Sequence, residues 1–235
     1  MAEIAVADGI STVVTTPHQL GAFGCNRGNM IRERVEQLQQ FLDEREIPLR
    51  VVPGGDVRIE PDLVHRIQQG DVLTLADQHR HVLLELPHEL YLPLDRLLSS
   101  LRTAGMVGIL SHPERNMGIL GQPRRVESLV DAGCLMQVTA GALMGTFGSQ
   151  VEKLARSLVR HGLVHFIATD AHGAKARRPL LRRAFDCVVQ LAGYETAVEL
   201  CCRNPAAVVA GEEVTSDRKL GNLKRSGWFH WSRAG

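Results

Sequence analysis

The sequence predicts an α/β barrel in which parallel strands alternate with helices, and three observations carry that prediction. Six apolar, strand-like runs are separated by segments patterned as helices, and such alternation favours a parallel sheet. Each run ends on or near a glycine or a residue able to ligate metal, and in a closed barrel the C-terminal strand ends meet on one face. The length of 235 residues is ordinary for a single barrel.

Residues 2–9 read as the closing turns of a helix, with Ile4 and Ala5 apolar and Gly9 suited to a C-cap. The first run, Ser11 to His18, follows directly. A barrel helix normally follows a strand, so a first strand is expected ahead of this helix and is missing from the sequence. Asn29 to Glu46 places Ile31, Val35, Leu38 and Leu42 at helical spacing with a charged opposite face. The second run, Leu49 to Asp56, precedes a helix over Pro61 to Gln69, and the third, His81 to Glu85, precedes one over Leu92 to Thr103. The fourth, Val107 to His112, leads to Arg124 to Ala132, and the fifth, Leu135 to Gly141, to Gln150 to His161. The sixth, Val164 to His172, leads to Arg178 to Ala192 and Thr196 to Cys202. Glycine closes most of these helices, as at Gly70, Gly105, Gly133, Gly162 and Gly193. The chain thus divides into a barrel over residues 1–214 and a polar, basic tail over 215–235 that carries Trp228 and Trp231.

Composition narrows the function. A net charge of +1, with both signs interspersed, leaves no electrostatic footprint for nucleic acid or an anionic membrane. Five sparse cysteines, an odd number, argue against a disulfide framework and for a reducing cytoplasm. No apolar run reaches membrane-spanning length, and the N-terminus has no basic region followed by a hydrophobic core. A cysteine-based tyrosine phosphatase needs an arginine at a fixed spacing after its thiolate. At that spacing from the five cysteines stand Ile31, Ala140, Gly193, Ala207 and Val208. Neither a Gly-X-Ser-X-Gly elbow nor a Gly-X-X-X-X-Gly-Lys phosphate loop is present.

The strand ends offer His18, Asp56, Glu85, His112, Asp170 and His172. Imidazole and carboxylate without thiolate compose a hard or borderline divalent metal centre. Taken singly, each of these also reads as a cap or loop hydrogen-bonder, Asp56 above all. Taken together, several strands would have to end this way by accident. Arg115 reads either as an anion-binding group or as a partner of Glu114, and Arg177 either so or as one of a solvated run with Lys175, Arg178, Arg182 and Arg183.

The strings Thr16-Pro17-His18, Glu85-Leu86-Pro87, His112-Pro113-Glu114-Arg115, Thr139 to Gly145 with Phe147-Gly148, and Asp170-Ala171-His172 followed by Arg177 and Pro179 point further. In order and spacing they resemble the manganese-dependent tyrosine-protein phosphatases of bacterial capsule and exopolysaccharide operons, a branch of the polymerase and histidinol phosphatase (PHP) superfamily. The resemblance implies a distorted, TIM-like (β/α)7 PHP barrel, here without its first strand, holding up to three Mn2+ ions at its C-terminal edge. It implies that His18, Asp56, Glu85, His112, Asp170 and His172 are metal ligands, with Glu85 the bridging carboxylate, and that Arg115 and Arg177 bind phosphate. The implied substrate is a tyrosine-phosphorylated protein, a polysaccharide-chain-length tyrosine kinase, in the cytoplasm. Two departures stand out. Asp56 occupies a position where the family has glutamate, one methylene longer, and the family's opening His-X-His strand has no counterpart here. Two other functions therefore stay open: a small-molecule phosphoesterase of the histidinol-phosphatase kind, and a catalytically impaired barrel that binds phosphoproteins.

Overall fold

The structure is a computed structural model and describes residues 1–214. The tail expected over 215–235, with Trp228 and Trp231, lies outside the described residues. The chain begins with α1 (Ala2–Ala7), β1 (Thr12–Val14), β2 (His18–Gln19), α2 (Gly28–Asp43), β3 (Arg50–Val52), β4 (Asp56–Arg58), α3 (Leu63–Gln68) and β5 (His81–Glu85). It continues with α4 (Asp95–Thr103), β6 (Val107–Ser111), α5 (Met117–Gly121), α6 (Arg125–Asp131), β7 (Leu135–Thr139), α7 (Ala140–Leu143) and α8 (Ser149–Arg160). The last elements are β8 (Phe166–Ala168), α9 (Arg182–Ala192), α10 (Tyr194–Val198) and, beyond a π-turn, α11 (Asn204–Ala210).

All pairings between these strands are parallel: β2-β4-β5-β6-β7-β8 form one sheet and β1-β3 a second. The first two apolar runs each break into two strands. Pro17 and the Pro53-Gly54-Gly55 stretch interrupt them, because proline has no N–H for the ladder. Hydrogen bonds still bridge the break, from Thr15 N to Val52 O (2.9 Å) and Asp56 N to Pro17 O (3.1 Å). Several helices start later than their periodicity predicts: α3 begins at Leu63, α4 at Asp95 and α9 at Arg182. Proline precedes each start by two or more residues (Pro61, Pro93, Pro179), and it biases the residue before it toward extended backbone.

Alternation along the strands of the six-stranded sheet sorts side chains into two cores, while Val51 of β3 packs in a third with Ala5, Ile31 and Val35. Val57, Val82, Leu84, Leu110, Met136, Val138 and Ile167 face the outer helices. Leu83, Ile109, Leu135 and Phe166 fill the interior with Leu75, Val208 and Val214. Stepping two residues along the inner face leads from Leu83 to Glu85, from Ile109 to Ser111, from Leu135 to Gln137 and from Phe166 to Ala168. The inner face is therefore apolar at the base and more polar at the C-terminal rim.

The ring of strands is not closed by pairing. Among the described residues β1 pairs with β3 and β8 with β7, and a cavity of about 1710 Å³ opens between these edges. One polar link crosses toward α9. Asp8, at the end of α1, accepts hydrogen bonds through one carboxylate oxygen from Leu181 N (2.5 Å) and Arg182 N (2.9 Å), and so caps α9 from the far end of the chain.

Candidate metal centre

His18, Asp56, His112, Asp170 and His172 line the large cavity at the C-terminal rim, and Glu85 adjoins it through His18 and His112. His18, Asp56 and Glu85 form the tightest group, offering ligand atoms that all lie within 4.8 Å of one another. His18 Nδ1 stands 3.5 Å from Asp56 Oδ2 and 3.4 Å from Glu85 Oε2, and His112 Nε2 stands 3.6 Å from Glu85 Oε1 and 4.0 Å from Asp56 Oδ2. Metal bonds of about 2.1 Å set neighbouring donors about 3.0 to 3.5 Å apart. The His18, Asp56 and Glu85 separations fit a shared cation. Two of these atoms, His18 Nδ1 and Glu85 Oε2, are buried with no hydrogen-bond partner among the described residues, a state that costs free energy unless something else satisfies them.

Local structure explains why these side chains converge. Asp56 opens β4 opposite His18 in the ladder, so the two side chains start from paired positions. Gly55 leaves space for Gln19, since a Cβ there would lie 2.3 Å from the Gln19 amide oxygen. Gln19 donates to Asn26 O (2.7 Å) and Asp71 O (3.2 Å) and accepts from Leu73 N (2.8 Å), while Asn26 donates to the His18 carbonyl (2.8 Å). The glycine-rich loop after His18 is thereby pinned. Ser111 Oγ lies 3.1 Å from both Asp56 Oδ1 and Leu84 O, so its proton steadies the carboxylate or the strand beside it. His112, Asp170 and Arg177 have φ of 35°, 46° and 49°, in the left-handed region that side chains adopt at a cost.

Electrostatics follow from burial. Desolvation pushes Asp56 up to about 7, helped by Glu85 and Asp170 and opposed by His112 and Ser111. Burial works against charge on both Glu85 and His112, yet each offsets it for the other: Glu85 is held below the usual carboxylate range and His112 above the usual imidazole range. Two carboxylates and two imidazoles crowded in this way suit a bound cation.

The arginines stand on the other side. Arg115 Nη1 donates to Asp170 Oδ2 at 2.8 Å, and Arg177 Nη2 donates to the same oxygen. Arg115 therefore pairs with Asp170 and not with Glu114. Glu114 is fully buried and accepts from Thr139 N (3.0 Å), tying the rim of β6 to that of β7. Phe147 backs both guanidinium groups, its ring centre 4.5 Å from Arg115 and 5.9 Å from Arg177. His172 is the outlying member: its side chain is 47% exposed and its Nδ1 lies 2.9 Å from the Asp170 carbonyl. Sequence reasoning gave no role to Ser111 or Gln19, and it met Glu114 only as a partner for Arg115 and Phe147 only as part of a motif string. For Ser111 the signal was available, since alternation from Ile109 puts it on the inner face.

No helix among the described residues is long and apolar enough to cross a membrane. A family model described as capsular polysaccharide synthesis, CpsB/CapC, matches residues 1–210. The tyrosine-protein phosphatase YwqE of Bacillus subtilis (strain 168) is 35% identical over 179 residues, covering 75% of this chain and 70% of that protein. The tyrosine-protein phosphatase CpsB of Streptococcus pneumoniae is 26% identical over 207 residues, covering 86% of this chain and 85% of that protein. Crystal structures of those two proteins are described as unique metal-dependent tyrosine phosphatases. The fold superposes on one of them with a TM-score of 0.87 at 31% identity, over 92% of this chain and 87% of that one. The fold is thus shared with a metal-dependent tyrosine phosphatase, and the chain belongs to the CpsB/CapC family of capsular polysaccharide synthesis.

Proposed function

We propose that the protein is a metal-dependent phosphotyrosine-protein phosphatase in which His18, Asp56, Glu85, His112, Asp170 and His172 hold the metal and Arg115 and Arg177 bind the phosphate. The observation that carries this is the convergence of two guanidinium groups on one oxygen beside a cluster of metal-type donors. Asp170 Oδ2 occupies the place of an anionic oxygen, and a phosphate oxygen entering there would meet the same two donors. A divalent metal, when bound, supplies neutralising charge and a water of lowered pKa for attack on phosphorus. Glu85, with His18 on one oxygen and His112 on the other, is suited to bridge. Phe147 keeps the two arginines side by side and shields them from solvent on one face.

Manganese, in up to three positions of the family pattern, is the metal we assign from the family resemblance, and the nitrogen and oxygen donors without thiolate suit a hard or borderline divalent metal of that kind. The names of the relatives support a tyrosine-phosphorylated protein as substrate. Our own reading is that this substrate is a polysaccharide-chain-length tyrosine kinase in the cytoplasm, in keeping with the capsular family. The test is hydrolysis of a phosphotyrosine peptide by the purified chain with manganese, with chelator, and after manganese is restored. Release of phosphate that follows the metal is the expected result. No release under any metal loading overturns the proposal.

A further inference from the structure

Beside the arginine pair, and sharing Arg177 and Phe147 with it, lies a second depression of about 210 Å³ whose other cations have no part in the phosphate site. Lys175, Arg177, Arg178 and Arg183 line it, and no aspartate or glutamate does. Arg177 is matched by Asp170. Lys175, Arg178 and Arg183 are exposed and, among the described residues, enter none of the ion pairs that engage Arg115, Arg156 and Arg177. Cations gathered round one concavity repel one another, and an anion seated among them relieves that repulsion.

The depression is joined to the metal centre through shared residues. Thr139 and Thr169, which line it, are the residues that end β7 and that precede Asp170. Phe147, which lines it too, is the ring that backs Arg115 and Arg177. An extended polypeptide with one side chain at the arginine pair can therefore lay a neighbouring side chain across Phe147 into the basic depression. Side chains next to each other along an extended strand are about 3.3 Å apart in rise, and the next pair on the same face about twice that. We propose that this depression binds a second anionic side chain of the substrate polypeptide, close in sequence to the phosphotyrosine, and so sets the enzyme's preference among phosphotyrosine sites. The inference rests on the phosphatase function proposed above.

Peptides with glutamate, with a second phosphotyrosine, or with alanine on both sides of one phosphotyrosine test it, with p-nitrophenyl phosphate as a small substrate that cannot reach the depression. Fluorescein-labelled versions carrying a non-hydrolysable phosphonate in place of the phosphotyrosine read binding by anisotropy, independently of turnover. The manganese-loaded full chain should favour an anionic flank over alanine by roughly five- to tenfold in kcat/KM and in affinity, a scale set by a few screened, exposed ion pairs. Which anionic flank gives the larger ratio identifies the group as carboxylate or phosphate. In the Lys175→Ala/Arg178→Ala/Arg183→Ala variant that ratio should fall to near one, while p-nitrophenyl phosphate turnover stays unchanged. A ratio near one in the unaltered chain, or one that survives the triple substitution, overturns the proposal. Absence of turnover with retained discrimination in binding would overturn the phosphatase function and leave the anionic subsite standing.

Discussion

The two sides of the candidate centre are built differently. His18, Asp56 and Glu85 sit on ladder-paired strands with His112 directly after β6, and they are backed by Ser111, Gln19 and Asn26, with Asp56 buried and the other three half-buried. Asp170, His172 and Arg177 sit in the segment after β8, which has no ladder of its own, and are shaped by left-handed backbone at Asp170 and Arg177. The contrast teaches that this chain sets its most crowded donors on or beside strands and places Asp170, His172 and Arg177 on a connecting loop. Loops carry adaptable contacts, while strand ends fix geometry.

The largest expected effect breaks the strand-borne side. Glu85→Ala and Asp56→Ala should each lower manganese affinity by at least the roughly 10- to 100-fold typical of lesser changes around a metal, and abolish most phosphotyrosine turnover. Metal content after dialysis, read by elemental analysis, checks this. Full retention of metal in both variants would remove them from the ligand set. The loop-facing side should behave in the opposite manner. Arg115→Ala and Arg177→Ala should retain metal yet lose about 10²- to 10³-fold in kcat, the scale of a lost preorganised donor. Lysine replacements should recover only part of it, because lysine lacks the planar fork. Loss of metal in either alanine variant would show that it supports the centre through Asp170.

A third effect concerns only the strand side and is read without turnover. Asp56 has its pKa raised in the folded chain, as does His112, so the stability each contributes is fully present below its unfolded value and is lost as pH rises through its folded value. For Asp56 the rise is from 3.8 to about 7, which bounds its contribution at about 4 kcal/mol. This contribution should fall away between about pH 3.8 and 7, so metal-free protein should still lose melting temperature as pH approaches 7, and manganese should flatten or reverse the trend. His81, buried at the opposite end of β5 and lowered by burial from 6.5 to about 4, has the reverse sign: its contribution is present above 6.5 and lost as pH falls toward 4. The two windows overlap below pH 6.5 and partly cancel there, so Asp56 is read most cleanly between pH 6.5 and about 7.

The smallest effect separates two histidines. His172→Ala removes a half-exposed ring from the loop and should cost less than about tenfold in metal affinity, whereas His18→Ala, held by Asn26 and facing two carboxylates, should cost more. Titration with manganese followed by calorimetry compares them, and equal losses would erase the distinction between the two sides.

The strand ends were legible because short apolar runs stop on or near a polar residue or glycine, and parallel strands in a barrel present those ends together. The break of the first two runs was less legible. Pro17 and Pro53 mark it, but whether a proline ends a sheet or merely interrupts one ladder bond depends on the neighbouring strand. Arg115 shows the deeper limit. Its neighbour Glu114 is the obvious partner by sequence, yet Glu114 turns inward to the Thr139 N–H and Arg115 reaches Asp170, 55 positions away. Phe147 was hidden for the same reason, since nothing local in sequence shows that two distant guanidinium groups will stack on one ring.

Asp8 has a kinetic consequence. Its carboxylate joins residues 173 positions apart, so the closing contact shuts nearly the longest loop the described chain can make. The entropic cost of closing so long a loop is least once most of the intervening chain is ordered, so this contact is expected to form after the rate-limiting step of folding. A contact absent from the transition state acts on the way out. Asp8→Ala should leave the refolding rate nearly unchanged and speed unfolding, by an amount set by a helix cap worth about 0.5 to 2 kcal/mol. Asp8 is thus a latch on the lifetime of the folded ring more than a contributor to its formation.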